Sequence, residues 1–142
     1  MELIRGRQNL RLVDGGCLTS IGNYDGLHLG HQELIRRLKN QARIHRLPAT
    51  VMTFEPYPQE YFRQNDPPSR LMSFREKLEL FRQIGVDRVV CLRFDSGLAG
   101  TSAEIFVERY LVDDLQTRHI VVGDDFRFGR NREGSVELLK KM

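Results

Sequence analysis

Long apolar runs are missing from this chain, and so is any dense tract of one charge. No stretch of its 142 residues approaches the roughly 20 consecutive apolar residues that a membrane-crossing helix needs. The opening segment, MELIRGRQNLRLVDGG, scatters charges among its apolar residues and so lacks the apolar region of a secretory signal. Cysteine is scarce. Cys17 and Cys91 lie far apart, make no disulfide framework, and are expected to be two reduced, buried thiols in a cytoplasmic protein. The net charge of +3 is mild and its cations do not cluster. RRLK (Arg36 to Lys39) reads as the solvated face of a helix, not as a basic stripe with interleaved aromatics, so no nucleic-acid partner is expected. A small anionic substrate needs only a few well-placed cations. Internal repeats and low-complexity segments are absent as well. What these absences leave is one globular domain of ordinary composition, 40% hydrophobic and 29% charged.

What is present is an alternation of strands and helices. CLTSI (Cys17 to Ile21) is a short apolar and β-branched run bounded by glycines, as expected of a buried strand. His31, Leu34, Ile35, Leu38 and Ala42 then fall at helical spacing, and the helix is expected to run to about Arg46, before Pro48. ATVMTFE (Ala49 to Glu55) is a second strand, ended by PYP. QNDPPSR (Gln64 to Arg70) is a loop. Ser73 and Glu76 have capping-box spacing for a helix striped by Phe74, Leu78 and Phe81 and stopped at Gly85. RVVCLRF (Arg88 to Phe94) is a third strand. Thr101 and Glu104 make another capping box, followed by Ala103, Phe106, Val107, Tyr110 and Leu111 on one face. HIVVG (His119 to Gly123) is a fourth strand, and SVELLKKM begins a last helix. Strands without alternation are buried on both faces, which predicts an α/β fold with a parallel sheet flanked by helices.

Ligands of such folds bind beyond the carboxyl ends of the strands. The irregular segments of this chain all fall there: GNYDGLHLGH after the first strand, EPYPQEYF after the second, DSGLAG after the third, GDDFRFGRNREG after the fourth. The first holds three glycines, two histidines and an aspartate. Gly26 and Gly30 permit close approach of backbone to a ligand, and a helix starting near Gly30 offers free N–H groups to an anion. His28 and His31 are three apart and can stabilise charge developing on a transferring phosphate. A zinc clip would need further ligands, and Cys17, His45, Cys91 and His119 are scattered singly, so no protein-held metal is assigned. A simple turn before a helix is the remaining alternative for this segment taken alone.

Gly22-Asn-Tyr-Asp-Gly26-Leu-His28-Leu-Gly30-His31 resembles the first motif of the nucleotidyltransferase superfamily, whose His-x-Gly-His element grips ATP. With aromatic-Asp-Gly before it, it is similar to the adenylyltransferase module of bacterial bifunctional riboflavin kinase/FAD synthetases. TFEPYP, RLMSFREKLELF and VVGDDFRFGRNREG agree in order, so the resemblance covers essentially residues 1–142. It implies a Rossmann-like fold of nucleotidyltransferase type and the reaction FMN + ATP → FAD + pyrophosphate, with Mg²⁺ accompanying ATP and no covalent enzyme intermediate. On that pattern His28 and His31 are catalytic. Gly22, Asn23, Tyr24, Asp25, Gly26, Gly30, Asp125 and Arg127 join them around ATP, and Phe54, Glu55, Pro56, Tyr57, Pro58, Asp124 and Phe126 lie on the FMN side.

Several of these residues have a plainer reading. Asp25, Asp124 and Asp125 suit Mg²⁺ or ribose, and equally the capping of turns. Arg127 and Arg130 can meet phosphate or remain solvated. Phe54 suits the core, and Phe126 and Phe128 suit loop packing. Tyr57 stands where family members often have histidine, and it carries no positive charge near neutral pH. A Ser-Ser-Thr-x-Ile-Arg type motif and a riboflavin kinase module, expected from the family pattern, do not occur up to Met142. The chain is therefore expected to be a truncated product, with a non-catalytic nucleotide- or flavin-binding fragment as the alternative.

Overall fold

The central strands form because their residues are apolar or β-branched throughout. Cys17–Ile21 (β2) is buried at every position, and Ala49–Glu55 (β3) at all but its last. The computed structural model describes residues 1–10, 15–26, 29–66, 69–123 and 126–141. It completes the sheet with Glu2–Arg5 (β1), Arg88–Arg93 (β4) and Thr117–Ile120 (β5). All pairings are parallel, and the order across the sheet is β1-β4-β3-β2-β5. The chain steps outward from β2 through β3 to β4, then returns to lay β5 on the other side of β2. That reversal beside β2 is the topological switch point, where folds of this kind bind ligands.

Each face of the sheet carries its own half of the core. Leu18, Val51 and Val89 face Ile35 and Leu38 of helix α1 (Leu29–His45) and Phe81 of helix α3 (Phe74–Ile84). Ile21, Met52, Val90 and Leu92 point the other way, onto Phe106, Val107 and Leu111. Those three belong to helix α5 (Ala103–Phe106) and the π-helical segment Val107–Asp114 that continues it. The wider spiral is seen where the Leu115 N–H reaches back five residues to the Tyr110 carbonyl at 3.2 Å. Shorter helices are α2 (Pro58–Phe62), α4 (Ser96–Ala99) and α6 (Val136–Lys141). The Ser73 capping box is present, with the Ser73 hydroxyl accepting from the Glu76 N–H and the Glu76 carboxylate from the Ser73 N–H. Gly85 ends α3 in the left-handed region at φ 104°.

The structure departs from the sequence expectations at the sheet edges and at one cap. β1 was not expected. It is a short edge strand that begins and ends on charged Glu2 and Arg5, and its ladder with β4 reveals it. β5 begins two residues before His119 and its ladder ends at Ile120, because an edge strand keeps polar, partly exposed residues such as Thr117 and Arg118. The cap of α5 is Ser102, whose hydroxyl accepts from the Ile105 N–H. The Thr101 hydroxyl instead donates to the Gly97 carbonyl, closing α4 within DSGLAG. Both cysteines are buried and free.

Candidate active site

The segment after β2 is anchored from below and from the side. Tyr24, at φ 54° and 3% exposed, turns its ring into the core. Its hydroxyl shares a hydrogen bond with Ser20, and its ring meets the edges of His31 at 5.1 Å and Phe81 at 5.7 Å. Burial pushes the Tyr24 hydroxyl up to about 12, against the opposing pull of the Ser20 bond. Tyr24 thus shapes the turn and braces His31 near the start of α1, where Gly30 is exposed. Gly22 donates its N–H to the Met52 carbonyl. The Asp25 carboxylate accepts from the Leu71 N–H at 2.9 Å and the Met72 N–H at 3.1 Å. This is the turn-capping use of an aspartate. Gly26 sits at φ +80° against Leu71. His28 lies outside the described residues.

The segment after β3 is held by a bracket of charge. Arg70 donates to Glu55 at 2.5 and 2.9 Å and to Glu60 at 2.6 and 2.8 Å, with its guanidinium 4.1 Å over the Tyr57 ring. The bonds from Arg70 hold the Glu60 carboxyl below the usual range and keep the guanidinium charged far above any accessible pH. Burial, reinforced by Asp25, pushes Tyr57 up to about 12. Pro56 follows a cis peptide, and Pro58 opens α2. Phe54 is buried edge-on to Phe94, so it is core first. The two segments touch through Asn23, whose side-chain amide donates to Gln59 at 3.2 Å.

Beneath both lies Lys77, with no solvent exposure. Its Nζ donates to the Asn23 carbonyl at 2.8 Å, the Tyr57 hydroxyl at 3.0 Å and the Thr53 hydroxyl at 3.5 Å. Burial pulls its ammonium down to about 8. Arg70, Glu60 and Lys77 support the site, though the sequence patterns assigned none of them a role. The signal for Lys77 was its position inside the Phe74–Leu78–Phe81 stripe, where a lysine has to face the core.

On the β5 side, Phe126 stacks on the buried Phe128 at 5.6 Å, and Phe128 packs on Phe106, so these rings hold the loop. Arg127 is exposed. Asp124 and Asp125 lie outside the described residues. Among the described residues no group of three or more His, Cys, Asp or Glu forms a metal cluster. His45 and His119 stack on each other at 4.1 Å, at the opposite end of α1 from His31.

The family model described as FAD synthetase matches residues 11–142. The chain belongs to the FAD synthetase family. Three relatives carry the name bifunctional riboflavin kinase/FMN adenylyltransferase. That of Escherichia coli K12 is 46% identical over 142 residues, 99% of this chain and 45% of the relative. That of Pseudomonas fluorescens is 44% identical over 140 residues, 99% and 45% of the two chains. That of Haemophilus influenzae is 41% identical over 140 residues, 99% and 46%. The chain thus spans somewhat under half the length of these curated relatives. A solved structure from Streptococcus pneumoniae, described as a macrolide-efflux protein, shares the fold with a TM-score of 0.82 at 27% identity, covering 99% of this chain and 47% of that one. Among the described residues no helix is long and apolar enough to cross a membrane.

Proposed function

We propose that this FAD synthetase family chain is an FMN adenylyltransferase module that transfers the adenylyl group of ATP to FMN. One observation carries the reading: the segments after β2 and β3, named above for ATP and for FMN, stand side by side on one sheet edge and are tied together by the Asn23–Gln59 bond and by Lys77. An FMN phosphate oxygen attacks the α-phosphorus of ATP, the α–β bridging bond breaks, and pyrophosphate leaves with the electron pair of that bond. Mg²⁺ enters with ATP as part of the substrate. His28 and His31, with the N-terminal N–H groups of the 17-residue helix α1, stabilise the charge that grows on the phosphates. Gly22, Asn23, Tyr24, Asp25, Gly26 and Gly30 shape that pocket, and Asp125 and Arg127 border it. Phe54, Glu55, Pro56, Tyr57, Pro58, Asp124 and Phe126 form the flavin side. Tyr57 serves through its ring and hydroxyl and not through charge. The substrates are small molecules and not nucleic acid, the setting is the cytoplasm, and the natural protein carries a riboflavin kinase module C-terminal to this one.

The test is FAD formation by the full natural protein with FMN and Mg-ATP. His28→Ala and His31→Ala are each expected to lower turnover by about 10²- to 10³-fold, as for removal of an electrostatic stabiliser, while FMN binding survives. Normal turnover in both variants would overturn the assignment.

A further inference from the structure

Lys77 projects from α3, an element that supplies none of the residues assigned to either substrate. Yet its ammonium ends between the two substrate segments. An ammonium has three donors and no acceptor, and three oxygens receive them: the Asn23 carbonyl after β2, the Tyr57 hydroxyl after β3, and Thr53 within β3. The side chain is wholly buried, and its Nζ also lies 4.5 Å from the centre of the Tyr57 ring. A charge without water tolerates the loss of a partner poorly. If the Asn23 turn moves without Tyr57, or Tyr57 without the turn, the ammonium loses a bond that no solvent replaces. The two segments are therefore constrained to move together.

We propose that Lys77 is a positioning residue that couples the nucleotide and flavin pockets, fixing the Asn23 carbonyl against the Tyr57 hydroxyl so that filling one pocket prepares the other. This rests on the adenylyltransferase reading above. The groups facing the ammonium are Asp25 from the β2 segment, Glu55 and Tyr57 from the β3 segment, Arg70 from the stretch before α3, and Cys91 from β4. Burial outweighs the attraction of the carboxylates and brings the ammonium down to about 8. The coupling should accordingly fade as pH rises through that value.

The experiment is an FMN fluorescence titration of the full natural protein, with and without a non-hydrolysable ATP analogue and Mg²⁺. In the unsubstituted protein the analogue is expected to change the FMN Kd by about fivefold or more, the ordinary scale of coupling between sites. In Lys77→Met the ratio should fall to one while each ligand still binds alone. A purely structural lysine would weaken both ligands and preserve the ratio, which overturns the proposal; so does a ratio of one in the unsubstituted protein. Should Lys77→Met fail to fold, Tyr57→Phe removes a single acceptor and must by itself reduce the ratio, and an unchanged ratio overturns the proposal. FAD formation with uncoupled binding sinks this proposal alone. Loss of FMN binding, ATP binding and FAD formation together in the unsubstituted protein sinks the adenylyltransferase reading and this proposal with it.

Discussion

Replacing Arg70 by methionine keeps an apolar stem against Tyr57 and deletes the charge that holds two carboxylates in place. The guanidinium makes four hydrogen bonds, two to Glu55 and two to Glu60. The side chains are 27%, 25% and 18% exposed for Arg70, Glu55 and Glu60. Breaking a fully buried pair costs about 3–5 kcal/mol, whereas exposed pairs contribute about 0–1 kcal/mol. With partial screening the expected loss at pH 7 is about 2 kcal/mol, read as a lower urea midpoint at unchanged slope. The sign of the pH dependence follows from Glu60, whose carboxyl is depressed first by its Arg70 hydrogen bonds. A depressed carboxyl contributes stability above its unfolded value, about 4.3, and loses it as pH falls through the folded value. The protein with Arg70 should therefore lose more stability than Arg70→Met between pH 6 and pH 3, so the gap between the two narrows in acid. A gap under about 0.5 kcal/mol at pH 7, within the range of ordinary surface substitutions, would refute the reasoning. So would a gap of the same size at pH 7 and pH 3.

Two further outcomes follow from the same network. Gly26→Ala places a Cβ at φ +80°, 2.8 Å from a Leu71 methyl and 3.2 Å from the Leu71 Cβ; the exposed methyl can swing aside but the Cβ cannot, so the cost is backbone strain of about 1–2 kcal/mol plus a small shift of the Leu71 backbone, measured by urea unfolding together with ATP affinity. Lys77 binds its proton less tightly folded, at about 8, than unfolded, at about 10.4, so the unfolded chain holds the extra proton between these values and stability rises with pH there. Urea unfolding across that window should show the unsubstituted protein gaining about 3 kcal/mol relative to Lys77→Met.

The bounds of β2 and β3 were legible because central parallel strands are buried on both faces and must be apolar or β-branched throughout. Edge strands carry no such demand. Glu2–Arg5 reads as a charged tail until Val89 and Val90 are seen beside it, and Thr117 and Arg118 look like loop until the ladder to β2 is drawn. The cap of α5 was displaced by one residue because Thr101 and Ser102 carry equivalent hydroxyls, and only the short helix before them decides which is free to cap. The convergence of the loops was legible as well, since parallel topology puts every strand-to-helix connection on one edge. What holds the loops was not. Arginine and lysine on a helix or beside it ordinarily face water, and the partners of Arg70 and Lys77 lie 10 to 54 residues away in sequence.

One short segment does this holding for a geometric reason. The turn after β2 and the loop after β3 are some 30 residues apart in the chain, but their strands are neighbours, separated by about 4.8 Å as in any sheet. A single stretch laid across their ends can therefore touch both. Residues 70–77 are that stretch: the Leu71 and Met72 N–H groups take the Asp25 carboxylate, Arg70 takes Glu55 and Glu60, and Lys77 takes the Asn23 carbonyl and the Tyr57 hydroxyl. In the adenylyl transfer proposed above, whose rate would come from aligning one phosphate on another, displacements of about 1 Å cost on the order of 10²-fold. It follows that substitutions in residues 70–77 should impair FAD formation more than their stability cost alone accounts for, although none of these side chains needs to touch ATP or FMN.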